Sequence, residues 1–263
     1  MSADREPAAS PPDVLICSAI DPSGGAGFLL DTRVVSQLGG RPVGVVTALT
    51  VQDTLGMRSC HALDAEVIGE QLGALLTDVE VRAVKLGILG SAAVIKEIGQ
   101  ALELTGAPVV WDPIGAPTQG AASFGELFET TLKELGRHLA LITPNARELE
   151  ALANASIGSL AEAVAAGEAL SLRAGVAVLV KGGHLGTDES VDVLCHDGVA
   201  EYLRGPRVGE VDVHGTGCAL SSAIATSLAL GEPMLEACRR AKAYVTARIG
   251  SPVRPGRGAP AVL

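Results

Sequence analysis

Two kinds of apolar pattern follow one another along the chain. Short, nearly continuous apolar runs such as residues 14–20 are typical of strands buried on both faces, whereas apolar residues that recur every three or four positions predict helices. The sequence predicts strands at residues 14–20, 42–49, 83–89, 108–113, 139–143 and 176–183. It predicts helices at residues 28–38, 64–79, 91–106, 125–139, 145–153, 159–175, 216–230 and 235–249, with Asp64 and Ser91 as N-terminal caps.

The order of these elements indicates the fold class. Strands that alternate with helices form an α/β fold, with a mostly parallel central sheet covered by helices on both faces. Residues 191–205 depart from this pattern, because two short runs flank Asp197-Gly198, which is a hairpin signal and predicts a short antiparallel edge. Because no linker, repeat or charge block divides the chain, we expect one domain over residues 13–263 behind a disordered tail at residues 1–12.

Composition and charge narrow the classes of function. Hydrophobic residues make up 48% of the chain but aromatic residues only 2%, which favours an aliphatic α/β core over an all-β sandwich. The formal net charge of −10 argues against nucleic acid as a partner, since phosphate backbones are bound by clustered Lys and Arg. The N-terminus has no signal-peptide pattern, and no apolar run reaches the roughly 18 residues of a membrane helix. With five cysteines and no C-x-x-C pair, we expect a cytoplasmic protein without a membrane partner.

Candidate chemistry lies in five loops that follow predicted strands. Ligands of open α/β sheets bind beyond the carboxyl ends of the strands, so polar residues there are the first candidates. The loops read DPSGGAG (21–27), TVQDT (50–54), WDP (111–113), TPNARE (143–148) and KGGH (181–184). The glycines of the first loop fit either the close approach of a ligand or a tight turn from strand to helix.

A sixth motif, HGTGC at residues 214–218, leads directly into a predicted helix. Successive backbone N–H groups at a helix start, with glycines that allow close approach, form a site for negative charge. At this position Cys218 is expected to have a lowered thiol pKa and to act as a proton acceptor or nucleophile. The alternative is a small, buried, structural cysteine.

The TPNARE loop predicts a magnesium site. Asn145 and Glu148 are three residues apart and share one face of a first helical turn. Because Mg²⁺ prefers oxygen ligands and keeps several waters, an amide and a carboxylate that act partly through water suffice. Alternatively, Glu148 only complements the helix dipole.

Taken together, these motifs resemble the hydroxymethylpyrimidine and hydroxymethylpyrimidine-phosphate kinase family of thiamin biosynthesis, within the ribokinase superfamily. Seven motifs occur in the family's order over nearly the whole chain after Pro12: DPSGGAG with Asp31 behind it, TAL followed by Gln52, K-x-G at Lys85 and Gly87, DP at Asp112, TPN-x-x-E, KGGH and HGTGC. The resemblance implies a ribokinase-like fold, ATP and Mg²⁺ as cofactors, and a homodimer. It also implies phosphorylation of the hydroxymethyl group of 4-amino-5-hydroxymethyl-2-methylpyrimidine, of its monophosphate, or of both.

The resemblance further implies roles for individual residues. Catalysis maps to Cys218 as the proton acceptor and to the anion hole of Gly215, Thr216 and Gly217. The small acceptor is expected to contact Ala19, Asp21, Gly25, Asp31, Gln52 and Ile88. The nucleotide is expected near Asp112, Asn145, Lys181, Gly183 and His214, and the metal near Asn145 and Glu148.

Two of these expectations depend on hydrogen bonding. Asp31 and Gln52 would bond an aminopyrimidine edge, which a carboxamide suits because it both donates and accepts. Without that role, Gln52 would be an ordinary surface amide. His184 and His214 flank motif glycines and are expected to bond loop backbone rather than to act as an acid or base.

The chain departs from the family pattern at the acceptor side. Ala19 and Ile20 stand where the family has glycine and serine, and Ile88 and Gly115 stand where it has methionines. The added methyl of Ala19 takes up room near the ring, while the loss of two thioethers opens space elsewhere. Two alternatives therefore stay open: a kinase for pyridoxal or another hydroxymethyl heterocycle, and a catalytically silent pyrimidine-binding relative.

Overall fold

The computed structural model describes residues 10–115, 124–153, 155–183, 189–208 and 212–263. Within them, the strands are β1 (Asp13–Ile20), β2 (Arg41–Asp53), β3 (Gly56–Ala62), β4 (Val81–Leu86), β5 (Val109–Trp111), β6 (Leu139–Ile142), β7 (Ala177–Val180), β8 (Glu189–His196) and β9 (Val199–Pro206). The helices are α1 (Gly27–Gln37), α2 (Ala65–Asp78), α3 (Ala92–Leu102), α4 (Phe124–Leu135), α5 (Ala146–Ala153), α6 (Leu160–Ala174), α7 (Thr216–Ala229) and α8 (Met234–Ile249). Residues 1–9 of the predicted tail and His184 lie outside the described residues.

The strands form one mixed sheet in the order β3-β2-β1-β4-β5-β6-β7-β8-β9. Strands β1, β2 and β4 to β7 pair in parallel, so their carboxyl ends meet at one edge of the sheet. Strand β8 pairs antiparallel with both β7 and β9. The predicted hairpin is confirmed, and its turn places Asp197 and Gly198 at φ values of 50° and 74°, in the left-handed region.

Helices cover both faces of the sheet. Leu15 and Cys17 of β1 point into a core formed with α2 to α6, whereas Val14 and Ile16 point into a core formed with α1, α7 and α8. This alternation follows from the two-residue period of a strand, and it explains why the central strands are apolar at successive positions. The predicted α/β architecture is confirmed.

The prediction is wrong at the β3 edge. Residues 50–54, predicted as a loop, form the end of β2 and its turn, after which β3 returns antiparallel to β2. Most residues of β3 are exposed or half-buried, and only Ser59 and Cys60 are buried, so this strand lacks the apolar run of a central strand. Gln52 therefore projects from a paired strand.

The helix caps agree with the sequence. Oδ1 of Asp64 accepts hydrogen bonds from the N–H groups of Glu66 and Val67, at 2.9 and 3.3 Å. The hydroxyl of Ser91 accepts from the N–H of Val94 at 3.3 Å. Within the described residues, none of the helices is both long and apolar enough to cross a bilayer.

Candidate functional site

Two adjoining cavities lie at the carboxyl ends of the parallel strands. The larger has a volume of about 420 Å³ and the smaller about 190 Å³. Four residues line both cavities: Asn145, Lys181, Thr216 and Gly217. These four residues form a shared wall at which groups bound in the two cavities can meet.

The start of α7 belongs to this shared wall. Its N-cap residue, Gly215, has a φ of 84°, a left-handed conformation that glycine adopts without strain. A Cβ at this position would lie 2.0 Å from the carbonyl oxygen of Gly25, so a side chain does not fit. The first bond within the helix runs from the Ala219 N–H to the Gly215 carbonyl, at 2.9 Å. The preceding N–H groups have no partner within the helix and, with the helix dipole, can bind an anion.

A lysine between two carboxylates lies next to these amides. Nζ of Lys181 is 2.8 Å from Oδ1 of Asp112 and 3.6 Å from Oε2 of Glu148. A Cβ on Gly217 would lie 3.1 Å from this Nζ, which shows how close the ammonium is to the helix start. Burial alone would lower the pKa of Lys181, but Asp112 and Glu148 raise it above its ordinary value. Lys181 therefore stays protonated at the shared wall, between two carboxylates.

Asn145 and Glu148 bond to each other at the start of α5. The Glu148 carboxylate accepts from the Asn145 N–H at 2.7 Å, and Oδ1 of Asn145 accepts from the Glu148 N–H at 2.9 Å. This is the reciprocal pattern of a capping box, so Glu148 does support its own helix start. Burial raises the pKa of Glu148; Lys181 opposes this shift and Asp112 reinforces it.

The same cluster fits a partly hydrated magnesium ion. Oδ2 of Asp112 is buried and has no hydrogen-bond partner within the described part of the chain. Two carboxylates against one lysine leave a net negative charge that favours a cation. Among the described residues, no group of three or more His, Cys, Asp or Glu could hold a metal ion. The donors therefore suit an ion that keeps water and phosphate oxygens as ligands, with Asp112 and Glu148 nearby.

The smaller cavity extends from the shared wall towards α8. Besides Lys181 and Gly183, it is lined by Ser190 and Asp192 of β8, Leu220 of α7, and Lys242, Val245, Thr246 and Ile249 of α8. Of the residues predicted on the nucleotide side, Asn145, Lys181 and Gly183 lie here. Asp112 lines the larger cavity, at the shared wall.

Cys218 is a neutral thiol, which contradicts the expected lowering of its pKa. The residue is only 4% exposed, although it lines the larger cavity. Burial raises the pKa of the Cys218 thiol to about 12, and Asp31 and Asp112 add to this rise. Lys85 and a hydrogen bond from the backbone of Gly27 lower it by less. The loss of hydration raises the pKa by more than the helix start lowers it, because a thiolate is poorly solvated on a side chain that is almost fully covered by protein.

Asp31 does not line the cavity, so its expected contact with the acceptor is wrong. Its side chain is fully buried; Oδ2 accepts from Nζ of Lys85 at 2.6 Å and Oδ1 accepts from the hydroxyl of Ser222 at 2.8 Å. Burial alone would lower the pKa of Lys85, but Asp31 raises it above its ordinary value. The pair joins α1, β4 and α7 behind the cavity. Motif spacing locates Asp31 near the site but does not show that it faces the core.

Three polar side chains of the larger cavity meet at one atom, Nε2 of His214, which can hydrogen-bond one of its two neighbours at a time. Nε2 of His214 lies 3.1 Å from Nε2 of Gln52 and 3.1 Å from Oδ2 of Asp21. Burial alone would raise the pKa of Asp21, but hydrogen bonds from His214 and Ser23 bring it below its ordinary value. The ring of His214 therefore lies with the predicted acceptor residues. This corrects its assignment to the nucleotide side and the expectation that it bonds loop backbone.

The glycines of the DPSGGAG loop serve the packing of the protein itself. Gly24 and Gly27 have φ values of 73° and 58°. A Cβ on Gly27 would lie 2.3 Å from the carbonyl oxygen of Ala19, and a Cβ on Gly25 would lie 2.8 Å from the ring of His214. Gly25 supports His214 and does not line the cavity, which corrects its predicted contact with the acceptor. The tight turn fits the structure, and Gly27 also lines the larger cavity, so the close approach of a ligand stays a prediction.

The remaining wall of the larger cavity is mostly apolar. Ala19 and Ile88 line it as predicted, and so does Thr50 of the TVQDT motif, together with lining residues that the sequence did not indicate: Ser18, Met57, Ile114, Val213 and Ala259. Met57 belongs to β3, so only recognition of that strand could have found it. Ala259 lies beyond the last helix, where the sequence carries no motif.

The family profile for phosphomethylpyrimidine kinase matches residues 21–262. The chain belongs to the phosphomethylpyrimidine kinase family. It is 34% identical over 255 residues to a hydroxymethylpyrimidine/phosphomethylpyrimidine kinase of Streptomyces coelicolor, a match that covers 96% of this chain and 94% of the relative. It is also 39% identical over 249 residues to the thiamine biosynthesis bifunctional protein ThiED of Geobacter sulfurreducens, covering 93% of this chain and 51% of that protein, about half its length. The predicted family is confirmed, and with it the class of phosphotransferases.

Solved structures agree with this family assignment. A phosphomethylpyrimidine kinase from Clostridium difficile has a TM-score of 0.74 at 32% identity, covering 91% of this chain and 99% of that chain. A pyridoxal kinase from Staphylococcus aureus, in complex with AMP-PCP and pyridoxal, has a TM-score of 0.84 at 27% identity, covering 95% and 92% of the two chains. The predicted kinase fold is confirmed.

Proposed function

We propose that this phosphomethylpyrimidine kinase family member uses ATP to phosphorylate the hydroxymethyl group of 4-amino-5-hydroxymethyl-2-methylpyrimidine, the monophosphate of that compound, or both, in thiamine biosynthesis. One observation carries the proposal: Asn145, Lys181, Thr216 and Gly217 line both cavities. ATP in the smaller cavity and the acceptor in the larger would present donor and acceptor oxygens to each other at this wall. The complexes of S. aureus pyridoxal kinase with ADP and AMP-PCP support the use of ATP.

Charge stabilisation at the shared wall is the main contribution of the protein. Phosphoryl transfer depends chiefly on positioning and on groups that stabilise charge on the equatorial oxygens. The free N–H groups at the start of α7 and the ammonium of Lys181 supply such groups without rearrangement. Gly215 lets the helix start pack against the carbonyl of Gly25, and Gly217 leaves room beside Lys181, since a Cβ at either position would meet these neighbours.

Asp112, Asn145 and Glu148 would hold a magnesium ion that arrives with the nucleotide. The buried Oδ2 of Asp112, which has no bond to the described protein atoms, supports this assignment. When bound, the ion neutralises phosphate charge and keeps the phosphates in register. One oxygen of the Glu148 carboxylate already accepts a hydrogen bond from the Asn145 N–H, and Glu148 would keep this bond while it helps to hold the ion.

Cys218 takes part as a thiol. The raised pKa of the Cys218 thiol keeps it protonated at pH 7, so it is not a preformed base. In a loose transition state the attacking oxygen gains little positive charge before the phosphoryl group has largely moved, so an early base is not required. We infer that Cys218 orients the hydroxymethyl group, that the hydroxyl proton passes late to an oxygen of the transferred phosphoryl group, and that the amides and Lys181 provide most of the rate enhancement.

The larger cavity offers an acceptor both hydrogen bonds and apolar walls. Gln52 and Asp21, which both lie 3.1 Å from Nε2 of His214, can bond the ring nitrogens and the amine of an aminopyrimidine. Ala19, Ile88 and the unpredicted Met57 line the same space. This combination of a few polar groups with apolar walls suits a small, flat, heteroaromatic ligand.

A second candidate acceptor is pyridoxal. The likeness to S. aureus pyridoxal kinase, at a TM-score of 0.84 over 95% of this chain, is the observation that favours it. Pyridoxal also carries a hydroxymethyl group on a flat ring, so the same phosphate machinery would serve it.

A product-identified kinase assay tests the proposal. ATP is supplied with hydroxymethylpyrimidine, its monophosphate or pyridoxal, and the phosphorylated product is identified by mass spectrometry. Turnover of either pyrimidine supports the proposal, and turnover of pyridoxal alone would replace it with the second candidate. Gly217→Val should abolish turnover by crowding Lys181, whereas Gly73→Ala, where a Cβ meets nothing within 4 Å, is the matched control.

We also propose that the protein is a homodimer in the cytoplasm. Leu49 and Val51, at alternate positions of β2, and Val67 of α2 are each about half exposed, which is a patch that a second copy could cover. All five cysteines are free and buried, as expected in a reducing compartment. Sedimentation of the wild type and of Val51→Lys tests the dimer; a monomeric wild type would refute it.

A further inference from the structure

The chain beyond α8 returns to the larger cavity. We call residues 252–263 the C-terminal segment. Ala259 lines the larger cavity, and its N–H donates to the carbonyl oxygen of Thr54 at 2.9 Å. The N–H of Gly258 donates to the hydroxyl of Thr54 at 3.1 Å. The segment is therefore bonded to the turn between β2 and β3, two residues from Gln52.

The same segment holds the backbone of His214 on both sides. The His214 N–H donates to the carbonyl of Pro260 at 2.7 Å, and the Val262 N–H donates to the His214 carbonyl at 3.2 Å. Ala261 and Val262 are only 1% and 2% exposed, so these bonds are shielded from water. Val253 pairs with Ala261 through two bonds of 2.9 and 2.8 Å, which closes the segment on itself.

His214 connects this segment to the acceptor residues and to the start of α7. Its ring lies within hydrogen-bond distance of Asp21 and Gln52, and the next residue in the chain is the N-cap of α7. Ala261 also lies 3.4 Å from where a Cβ of Gly25 would be. The segment thus contacts all three elements that carry the polar acceptor residues: the β2–β3 turn, the DPSGGAG loop and the loop before α7.

We propose that the C-terminal segment forms one wall of the acceptor site and, through His214, positions the groups that bind the acceptor. The inference rests on the proposed function, because it takes the larger cavity to hold the acceptor. The described lining of the smaller cavity includes no residue of the segment. The segment therefore contacts the acceptor side directly and reaches the start of α7 only through His214, so it should affect affinity for the acceptor more than affinity for ATP.

Gly258→Ala tests this role with the full chain. A Cβ on Gly258 would lie 1.8 Å from the carbonyl oxygen of Thr54, and the neighbouring atoms are backbone, so the segment must move. We expect the KM for the acceptor to rise about tenfold, because several hydrogen bonds and a preformed wall are lost together. The KM for ATP should rise by less, by no more than about twofold, since the segment reaches the nucleotide side only through the backbone of His214 before α7.

Two further variants, a milder substitution and a control, are compared with Gly258→Ala. Thr54→Val removes only the bond to the Gly258 N–H and should raise the KM for the acceptor by about threefold. Gly73→Ala is the control, because a Cβ there meets nothing within 4 Å, and it should change neither KM. An equal rise of both KM values in Gly258→Ala, or an unchanged KM for the acceptor, would overturn the proposal.

Hydrogen exchange gives a readout that does not depend on the reaction. The His214 amide should exchange faster in Gly258→Ala than in the wild type, because its bond to Pro260 is disturbed. Unchanged exchange would overturn the positioning role. If the wild type phosphorylates none of the three acceptors, the proposed function fails, whereas the exchange result still decides whether the segment holds His214.

Discussion

Replacing Asp31 with Asn should leave the ammonium of Lys85 without its charged partner in a place that water does not reach. Both side chains are 0% exposed, and Nζ of Lys85 lies 2.6 Å from Oδ2 of Asp31. Removing one partner of a buried ion pair costs about 3–5 kcal/mol, because the other charge stays desolvated. At this chain length 1 kcal/mol corresponds to about 2 °C in Tm, so Asp31→Asn should melt about 6–10 °C below the wild type.

A double-variant cycle separates the energy of the Asp31–Lys85 ion pair from the packing energy of the two side chains. In Asp31→Asn/Lys85→Met no unpaired charge is left, so the double variant should lose less stability than the two single losses summed, by at least about 1 kcal/mol. Thermal melting followed by circular dichroism measures all four proteins. The control is Glu236→Gln, which removes an exposed ion pair with Arg239 and should change stability by less than about 0.5 kcal/mol.

Acceptor kinetics decide between the buried position of Asp31 and a contact with the ligand. Below the melting temperature, Asp31→Asn should change the KM for the acceptor by no more than about twofold, because the carboxylate does not line the cavity. If Asp31→Asn melts at the same temperature as the wild type but binds the acceptor more weakly, the reasoning is refuted. That result would place the Asp31 carboxylate against the ligand.

Three further predictions concern the shared wall. Lys181→Met should lower kcat by about 10²–10³-fold, because one preorganised hydrogen-bond donor is lost. Steady-state kinetics measure this loss, and Lys181→Arg, the control that keeps the positive charge, should lose less. Gly215→Ala should cost about 3 kcal/mol or more in thermal melting, from its positive φ and from collision with the carbonyl of Gly25; an unchanged Tm would contradict this. At pH 7 iodoacetamide should label Cys218 far more slowly than a free cysteine, and fast labelling seen by mass spectrometry would contradict the raised pKa.

The central sheet could be predicted because its strands are buried on both faces. In β1, Val14 to Cys17 are all at most 1% exposed, and such runs are visible in the sequence. Strand β3 could not be predicted in the same way, since it lies at an edge, and its exposed positions carry residues such as Arg58 and His61. Its pairing with β2 depends on neighbours distant from any local pattern.

The candidate site, like the sheet, could be predicted from the sequence only in part. Motif order identified the loops that meet at the shared wall, because loops after parallel strands gather at one edge of the sheet. It did not show which way a side chain points, so Asp31 and Gly25 were assigned to the acceptor although they pack within the protein. It also did not show solvation: Cys218 has the position of an activated thiol at a helix start, but burial decides its protonation state.

Met57 changes the interpretation of the acceptor pocket. Ile88 alone suggests that a thioether is missing from the wall, and hence that the pocket is wider. Met57 packs in one cluster with Ile88, Ala19, Ala48 and Cys60, so a thioether does contact this wall, but it comes from β3. The hairpin that carries Met57 also carries Gln52 and, through Thr54, holds the C-terminal segment. Under the proposed function, acceptor choice can therefore vary with the hairpin and the segment, while the amides and Lys181 at the shared wall serve the same phosphate chemistry.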